Sequence, residues 1–258
     1  MADAVLTNRL MKEYASLDLP KGRRRTGLFV AEGTKCVGEL LRVFRCRTLY
    51  ALPEWLDEHR CDISSETQII EASKSVLQQL TRLVTTPPVV AFFELPAAEE
   101  PVSAEYVRNN LTLALDRVQD PGNLGTILRC CDWMGVHHVV ASAETADAFS
   151  PKAVQAAMGA TARVKVTYCN LRDYVESLPG DVPVYGTFLD GDNIYKSELS
   201  QGGLLIMGNE GNGISAEVAA HVNRRLLIPT WPVGADAVES LNVGVATAIA
   251  LSQFRSRQ

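Results

Sequence analysis

Leu204-Leu-Ile-Met-Gly-Asn-Glu-Gly-Asn-Gly213 is the stretch from which the fold of this 258-residue chain is read. A continuous apolar strand runs into three glycines within six residues. Glycines let backbone approach a ligand closely and adopt positive φ at little cost. Glu210 is the only acid in the loop. The spacing satisfies neither the G-x-G-x-x-G dinucleotide fingerprint nor the G-x-x-x-x-G-K-[ST] phosphate loop. A strand apolar along its whole length belongs inside a parallel sheet covered on both faces.

The flanking sequence repeats the theme. Strands are expected at Leu111–Leu115, around Val139-Val140, and at Val164–Tyr168, Val182–Leu189 and Leu226–Ile228. Helices are expected at Asn123–Met134, Pro151–Met158, Leu171–Leu178, Ser215–Val222 and Ser240–Phe254. Such alternation predicts an α/β fold with a mostly parallel sheet, whose ligands bind beyond the carboxyl ends of the strands.

Two more strand ends carry unusual residues. Asp116-Arg-Val-Gln-Asp-Pro-Gly-Asn-Leu-Gly-Thr-Ile-Leu-Arg129 leaves a strand, turns at Pro-Gly and opens a helix near Asn123. Asn123 suits either an ordinary helix cap or a site residue. Arg129, six residues on, suits either a surface arginine or a holder of phosphate. Leu226-Leu-Ile-Pro229 then leads to Ser240-Leu-Asn-Val-Gly-Val-Ala-Thr-Ala-Ile-Ala-Leu251, where Ser240 and Asn242 stand at the start of the last helix. Ser240 suits a plain cap as well as a functional role. The small residues Gly244, Ala246, Ala248 and Ala250 permit close packing on another helix or on a partner subunit.

The N-terminal half reads as a smaller α/β unit closing at Leu95-Pro-Ala-Ala-Glu-Glu-Pro101. Its elements include a helix over 6–16, a strand at Leu28–Ala31, a helix after Glu32-Gly33-Thr34 and a buried strand over Val89–Leu95. Domains are therefore expected at 1–100 and 106–258. Residues 1–47 hold ten Lys/Arg against five Asp/Glu, residues 48–105 three against ten, and the rest twelve against fifteen. The net charge of −5 thus conceals a basic N-terminal segment. Lys21-Gly-Arg-Arg-Arg25 is its densest cluster, read as a basic loop that is either solvated or in contact with phosphates.

At 47% hydrophobic and 21% charged residues the chain is a folded protein, with no apolar run near the ~18–20 residues that span a membrane. The N-terminus lacks an apolar core and carries Asp3, so neither a secretory signal nor a transit peptide is expected, and the location expected is cytoplasmic. Six cysteines (Cys36, Cys46, Cys61, Cys130, Cys131, Cys169) without C-x-x-C or zinc spacing read as reduced thiols, with no metal and no membrane partner expected.

Together, the order N-x-G-x-x-x-R, G-N-E-G-x-G and I-P…S-L-N-V resembles the three motifs of the SpoU/TrmH family of RNA ribose 2′-O-methyltransferases. That family lies in the superfamily with a trefoil-knotted C-terminus, and the resemblance covers roughly residues 106–258. The N-terminal part, through Lys21-Gly-Arg-Arg-Arg25 and Phe29-Val-Ala-Glu-Gly33, is similar to the family's accessory L30e-like substrate-binding domain.

The resemblance implies Asn123, Arg129, Glu210, Ser240 and Asn242 as the catalytic set. It implies Gly208, Ile228 and Leu241 as holders of S-adenosyl-L-methionine; Lys21, Arg23, Arg24 and Arg25 are expected as RNA contacts from their clustered charge. It further implies a homodimer with the site completed near the subunit interface, and ribosomal RNA rather than transfer RNA as substrate. A non-catalytic RNA-binding protein of the same fold and a methyltransferase acting on a base nitrogen are the alternatives. The segment Thr230–Glu239 is longer than the family's usual loop, which leaves the contacts around Ile228 and Leu241 open; Trp231 could stack on a base or pack on a partner.

Overall fold

The computed structural model describes residues 8–232 and 240–256; the backbone alone is described at 8 and 9. Two compact units result, one formed by the chain up to Ala97 with Asp147–Ala162, the other by Ala98–Ala146 with the chain from Arg163.

The first unit contains helices α1 (Asn8–Ser16), α2 (Pro20–Thr26), α3 (Thr34–Leu41), α4 (Pro53–His59), α5 (Lys74–Leu80) and α8 (Pro151–Ala157). Its strands are β1 (Leu28–Glu32), β2 (Cys46–Ala51), β3 (Gln68–Glu71) and β4 (Val89–Glu94), in the order β1-β4-β2-β3. Strand β4 is antiparallel to both neighbours, and β3 runs parallel to β2. One buried cluster joins Phe29, Val37, Leu40, Leu49 and Phe93 with Val154, so α8 belongs to this core although it lies far along the chain. Tyr14, Val30, Tyr50, Leu77 and Phe92 form a second cluster. Burial pushes the Cys36 and Cys46 thiols up to about 12, so both behave as small apolar residues.

The Lys21–Arg25 run is a helix and not the expected loop. Pro20 fills the first turn, where its missing N–H costs nothing, and Gly27 ends the helix in the left-handed region at φ 68°. Gly22 is needed because a Cβ there would lie 1.8 Å from the Ser16 carbonyl oxygen.

The second unit holds β5 (Leu111–Leu115), β6 (His138–Ser142), β7 (Lys165–Cys169), β8 (Val184–Asn193), β9 (Gly203–Met207) and β10 (Arg224–Leu227). Its helices are α6 (Ala104–Asn109), α7 (Pro121–Trp133), α9 (Leu171–Glu176), α10 (Ala216–Ala219) and α11 (Val243–Arg255). The six strands are all parallel, in the order β10-β8-β9-β5-β6-β7. Leu111–Leu115 and Gly203–Met207 are buried at every position, as strands covered on both faces must be. The connection after β5 leads outward to β6 and that after β9 leads the other way to β10, so the winding reverses between these neighbours. Their carboxyl ends therefore frame the crevice where such sheets take ligands.

Candidate active site

At the end of β9 the chain makes a hairpin-like loop. Asn209 and Gly213 exchange backbone hydrogen bonds of 3.0 and 2.9 Å, and the Asn209 side-chain oxygen accepts from the N–H groups of Gly211 and Asn212. The neck is closed so tightly that a Cβ on Gly208 would stand 2.2 Å from the Gly213 carbonyl carbon and 2.3 Å from the Ile214 nitrogen. Only glycine satisfies that geometry.

Three separated segments meet beside this loop through one hydrogen-bond chain. The Asn242 side-chain oxygen accepts from the N–H groups of Gly244 and Val245, capping α11. Its amide nitrogen is thereby oriented to donate to the Asn123 side-chain oxygen at 2.9 Å. Asn123 in turn donates to the Glu210 carboxylate at 2.6 Å, a charge-assisted contact. Ser240 donates to the Glu210 carbonyl at 3.3 Å. Asn123 is not the cap of α7: that role falls to Asp120, whose carboxylate accepts the Asn123 N–H at 2.8 Å, with Pro121 in the first turn. Nor is Ser240 the cap of α11, which begins three residues later than expected.

Next to this polar chain lies a cavity of ≈ 700 Å³. Gly208, Glu210, Ile228, Ser240 and Leu241 all line it. Its size is that of a small-molecule site, and Ile228, Leu241 and Met207 offer apolar surface to a flat ring while the loop offers backbone groups. An adenosyl group with a charged sulfonium side arm fits such a lining. Residues 233–239, most of the long segment between Thr230 and Ser240, lie outside the described residues.

Arg129 stands apart from this lining. It is exposed on α7, on the side where Thr126 packs against Gly244 of α11, and it makes no hydrogen bond or ion pair among the described residues. Lys21, Arg24 and Arg25 are exposed on α2, and Arg25 donates to the Ser16 hydroxyl at 3.1 Å. Arg23 is different: it is 2% exposed, with Nε and Nη2 on Asp147 and Nη1 on the Leu17 carbonyl. Its guanidinium is consumed inside the first unit, so a basic run on one short helix divides into three outward cations and one internal strut.

Thr187, Phe188 and Leu189 also line the cavity, and sequence reasoning gave them no role. They reach it because β8 slips against β10: Gly186 pairs with Arg225, and the next pair is Asp192 with Leu226. The residues between leave the ladder as a bulge. Arg225 holds the bulge, its guanidinium 3.5 Å from the Phe188 ring centroid and 2.5 Å from the Asp190 carboxylate. That pairing lowers the Asp190 carboxyl below its ordinary range. Gly191, packed on the Leu226 backbone, was the available signal of a bulge.

A parallel sheet with a glycine-necked cavity and a polar hydrogen-bond chain at its switch point is the arrangement of an α/β protein that binds a small molecule there. The chain belongs to the SpoU rRNA Methylase family, whose model matches residues 110–252. Residues 8–91 match an MRM3-like substrate binding domain. The chain is 34% identical over 254 residues to the 23S rRNA (guanosine(2553)-2′-O)-methyltransferase RlmP of Bacillus subtilis, covering 96% of each protein. A TrmH-family protein from Porphyromonas gingivalis superposes with a TM-score of 0.87 at 42% identity, covering 99% of this chain and 100% of that one. The SpoU methyltransferase AviRb of Streptomyces viridochromogenes, solved with AdoMet, gives 0.82 at 25% identity over 98% of both chains.

Proposed function

We infer that this protein transfers a methyl group from S-adenosyl-L-methionine to a ribose 2′-hydroxyl of ribosomal RNA. The observation that carries the reading is the hydrogen-bond chain Glu210–Asn123–Asn242, which ties the three motifs together at the rim of the ≈ 700 Å³ cavity. Relatives sharing nearly the whole length are named as 23S rRNA 2′-O-methyltransferases, which favours ribosomal RNA.

Bound in the pocket, the donor supplies an electrophilic sulfonium methyl group. The protein's task is then to align a ribose hydroxyl for in-line attack and to manage its proton and charge. Gly208, Ile228 and Leu241 hold the donor. Glu210, fixed by Asn123, braces the loop, and Ser240 and Asn242 set the opposite edge. Arg129 holds the phosphate beside the reacting ribose and stabilises negative charge developing on its oxygen. A guanidinium holds its proton too firmly to serve as a base, so electrostatic stabilisation is its role here.

Arg129 meets a pocket across a homodimer. Thr126, Arg129, Cys130 and Trp133 recur at i, i+3, i+4 and i+7 on α7. Trp133 is 86% exposed, and Val245 of the adjoining α11 is 50% exposed. Apolar surface of that extent on two packed helices suits a second copy of the chain. Lys21, Arg24 and Arg25 supply RNA phosphate contacts on the first unit, which acts as the substrate-binding part (1–100, joined by 147–162), and the remainder of 106–258 acts as the methyltransferase part. The C-terminal trefoil knot and a cytoplasmic location belong to the same reading; no helix among the described residues is long and apolar enough to cross a membrane.

Arg129→Ala should lose methyl transfer by about a hundredfold or more, in line with the loss of a charge-stabilising donor, while donor binding by calorimetry stays near wild type. Mixed with Gly208→Ala protein it should regain up to about a quarter of wild-type activity, since half of random dimers then hold one complete site. Full activity of Arg129→Ala alone contradicts the role, and no recovery on mixing contradicts its action across the dimer.

A further inference from the structure

Two residues other than glycine have positive φ among the described residues, Met158 at 52° and Arg117 at 58°. Met158 ends helix α8, where a left-handed residue is ordinary. Arg117 has no such reason. It lies two residues after the end of β5, at the mouth of the crevice, and an L-residue there is strained.

The strain is held in place from four sides. The Asp116 N–H donates to the Met207 carbonyl at 2.9 Å, and the Arg117 N–H donates to the Ser142 hydroxyl at 3.0 Å. The Arg117 carbonyl accepts from the Asn209 side chain at 2.9 Å, and the Val118 carbonyl accepts the Ala146 N–H at 2.9 Å. Asn209 belongs to the glycine loop that lines the donor cavity, so Arg117 is one hydrogen bond from the site. Asp116 and Val118 on either side are buried, whereas the Arg117 side chain is 45% exposed. Only its Nε is engaged, 3.3 Å from Asp116; Nη1 and Nη2 make no hydrogen bond among the described residues. Asp116 keeps its other oxygen on the Ser215 N–H at 2.6 Å. Strain that persists because its surroundings over-determine it is characteristic of functional positions.

We propose that Arg117 is a substrate-holding residue whose outward guanidinium edge takes a phosphate of the RNA entering the crevice. This rests on the reading of the protein as an RNA methyltransferase. The anion is an RNA phosphodiester and not the carboxylate of the methyl donor, and the two are separable by experiment.

The test uses the full-length protein and ribosomal RNA from cells lacking this gene. Arg117→Asn removes the charge and keeps a residue that tolerates the left-handed region. It should raise the RNA KM about tenfold at low salt and reduce the slope of log affinity against log salt by about one. Donor affinity by calorimetry should change less than about twofold, and Tm should rise by about 2–4 °C as the strain is relieved. Arg117→Lys should restore the salt slope. If Arg117→Asn keeps the wild-type RNA KM and salt slope, the proposal falls while the methyltransferase reading stands. A loss confined to donor affinity assigns the guanidinium to the donor and overturns it as well. Failure of the wild-type protein to methylate this RNA sinks the underlying reading instead.

Discussion

Gly208 and Asn242 act through opposite properties. Gly208 works by having no side chain, because the neck of the loop leaves 2.2 Å where a Cβ would go. Alanine there must push the Gly213–Ile214 backbone aside and deform the pocket wall. Gly208→Ala should weaken donor binding by about tenfold or more, read by calorimetry, and wild-type affinity would show the neck to be pliable. Asn242 works by using both ends of its amide at once, on the α11 N-terminus and on Asn123. The identity of these residues was legible in the sequence, but their division of labour was not. Asp120-Pro121 already marked the true start of α7, since proline belongs in a first helical turn and the residue before it becomes the cap. Asn123 was left for the tertiary contact with Glu210, which lies 87 positions away and beyond any local pattern.

Strand β8 and helix α2 carry the lessons at the scale of elements. The apolar strand Leu204–Met207 and its glycine loop are legible in the sequence, because a strand buried on both faces has an unmistakable composition. The bulge in β8 is marked in the sequence only by Gly191, which lies beyond the strand expected at Val182–Leu189. Arg225 clamps the bulge at Phe188 and Asp190 from the neighbouring strand. Arg225→Ala should free the bulge and raise the donor Kd about threefold, the scale of one partly exposed cation–π contact. The RNA salt slope should not move, and an unchanged donor Kd would remove Arg225 from the pocket's support. Helix α2 reads as a loop in the sequence because charged residues outweigh its proline start and glycine stop. Its burial of Arg23 needed Asp147, more than a hundred residues on, as partner.

At the scale of the molecule, the alternation of strands and helices announced the parallel sheet, and charge partition announced a basic N-terminal segment. Composition could not announce that Asp147–Ala162 joins the first unit, because Val154 and Phe149 look like any buried residues until Phe29 is found against them. Nor could it place Arg129, which is exposed on α7 and outside the lining of the cavity; the proposed homodimer is what would bring it to a pocket. A donor pocket and a guanidinium acting together on a ribose oxygen are the centre of the proposed mechanism. The most direct measurement incubates the purified protein and methyl-labelled S-adenosyl-L-methionine with ribosomal RNA from cells lacking the gene, then digests the product with alkali. Label recovered in alkali-resistant dinucleotides is the predicted result, because a methylated 2′-oxygen cannot attack the adjacent phosphate. Label recovered only in mononucleotides would place the methyl group on a base and contradict the account.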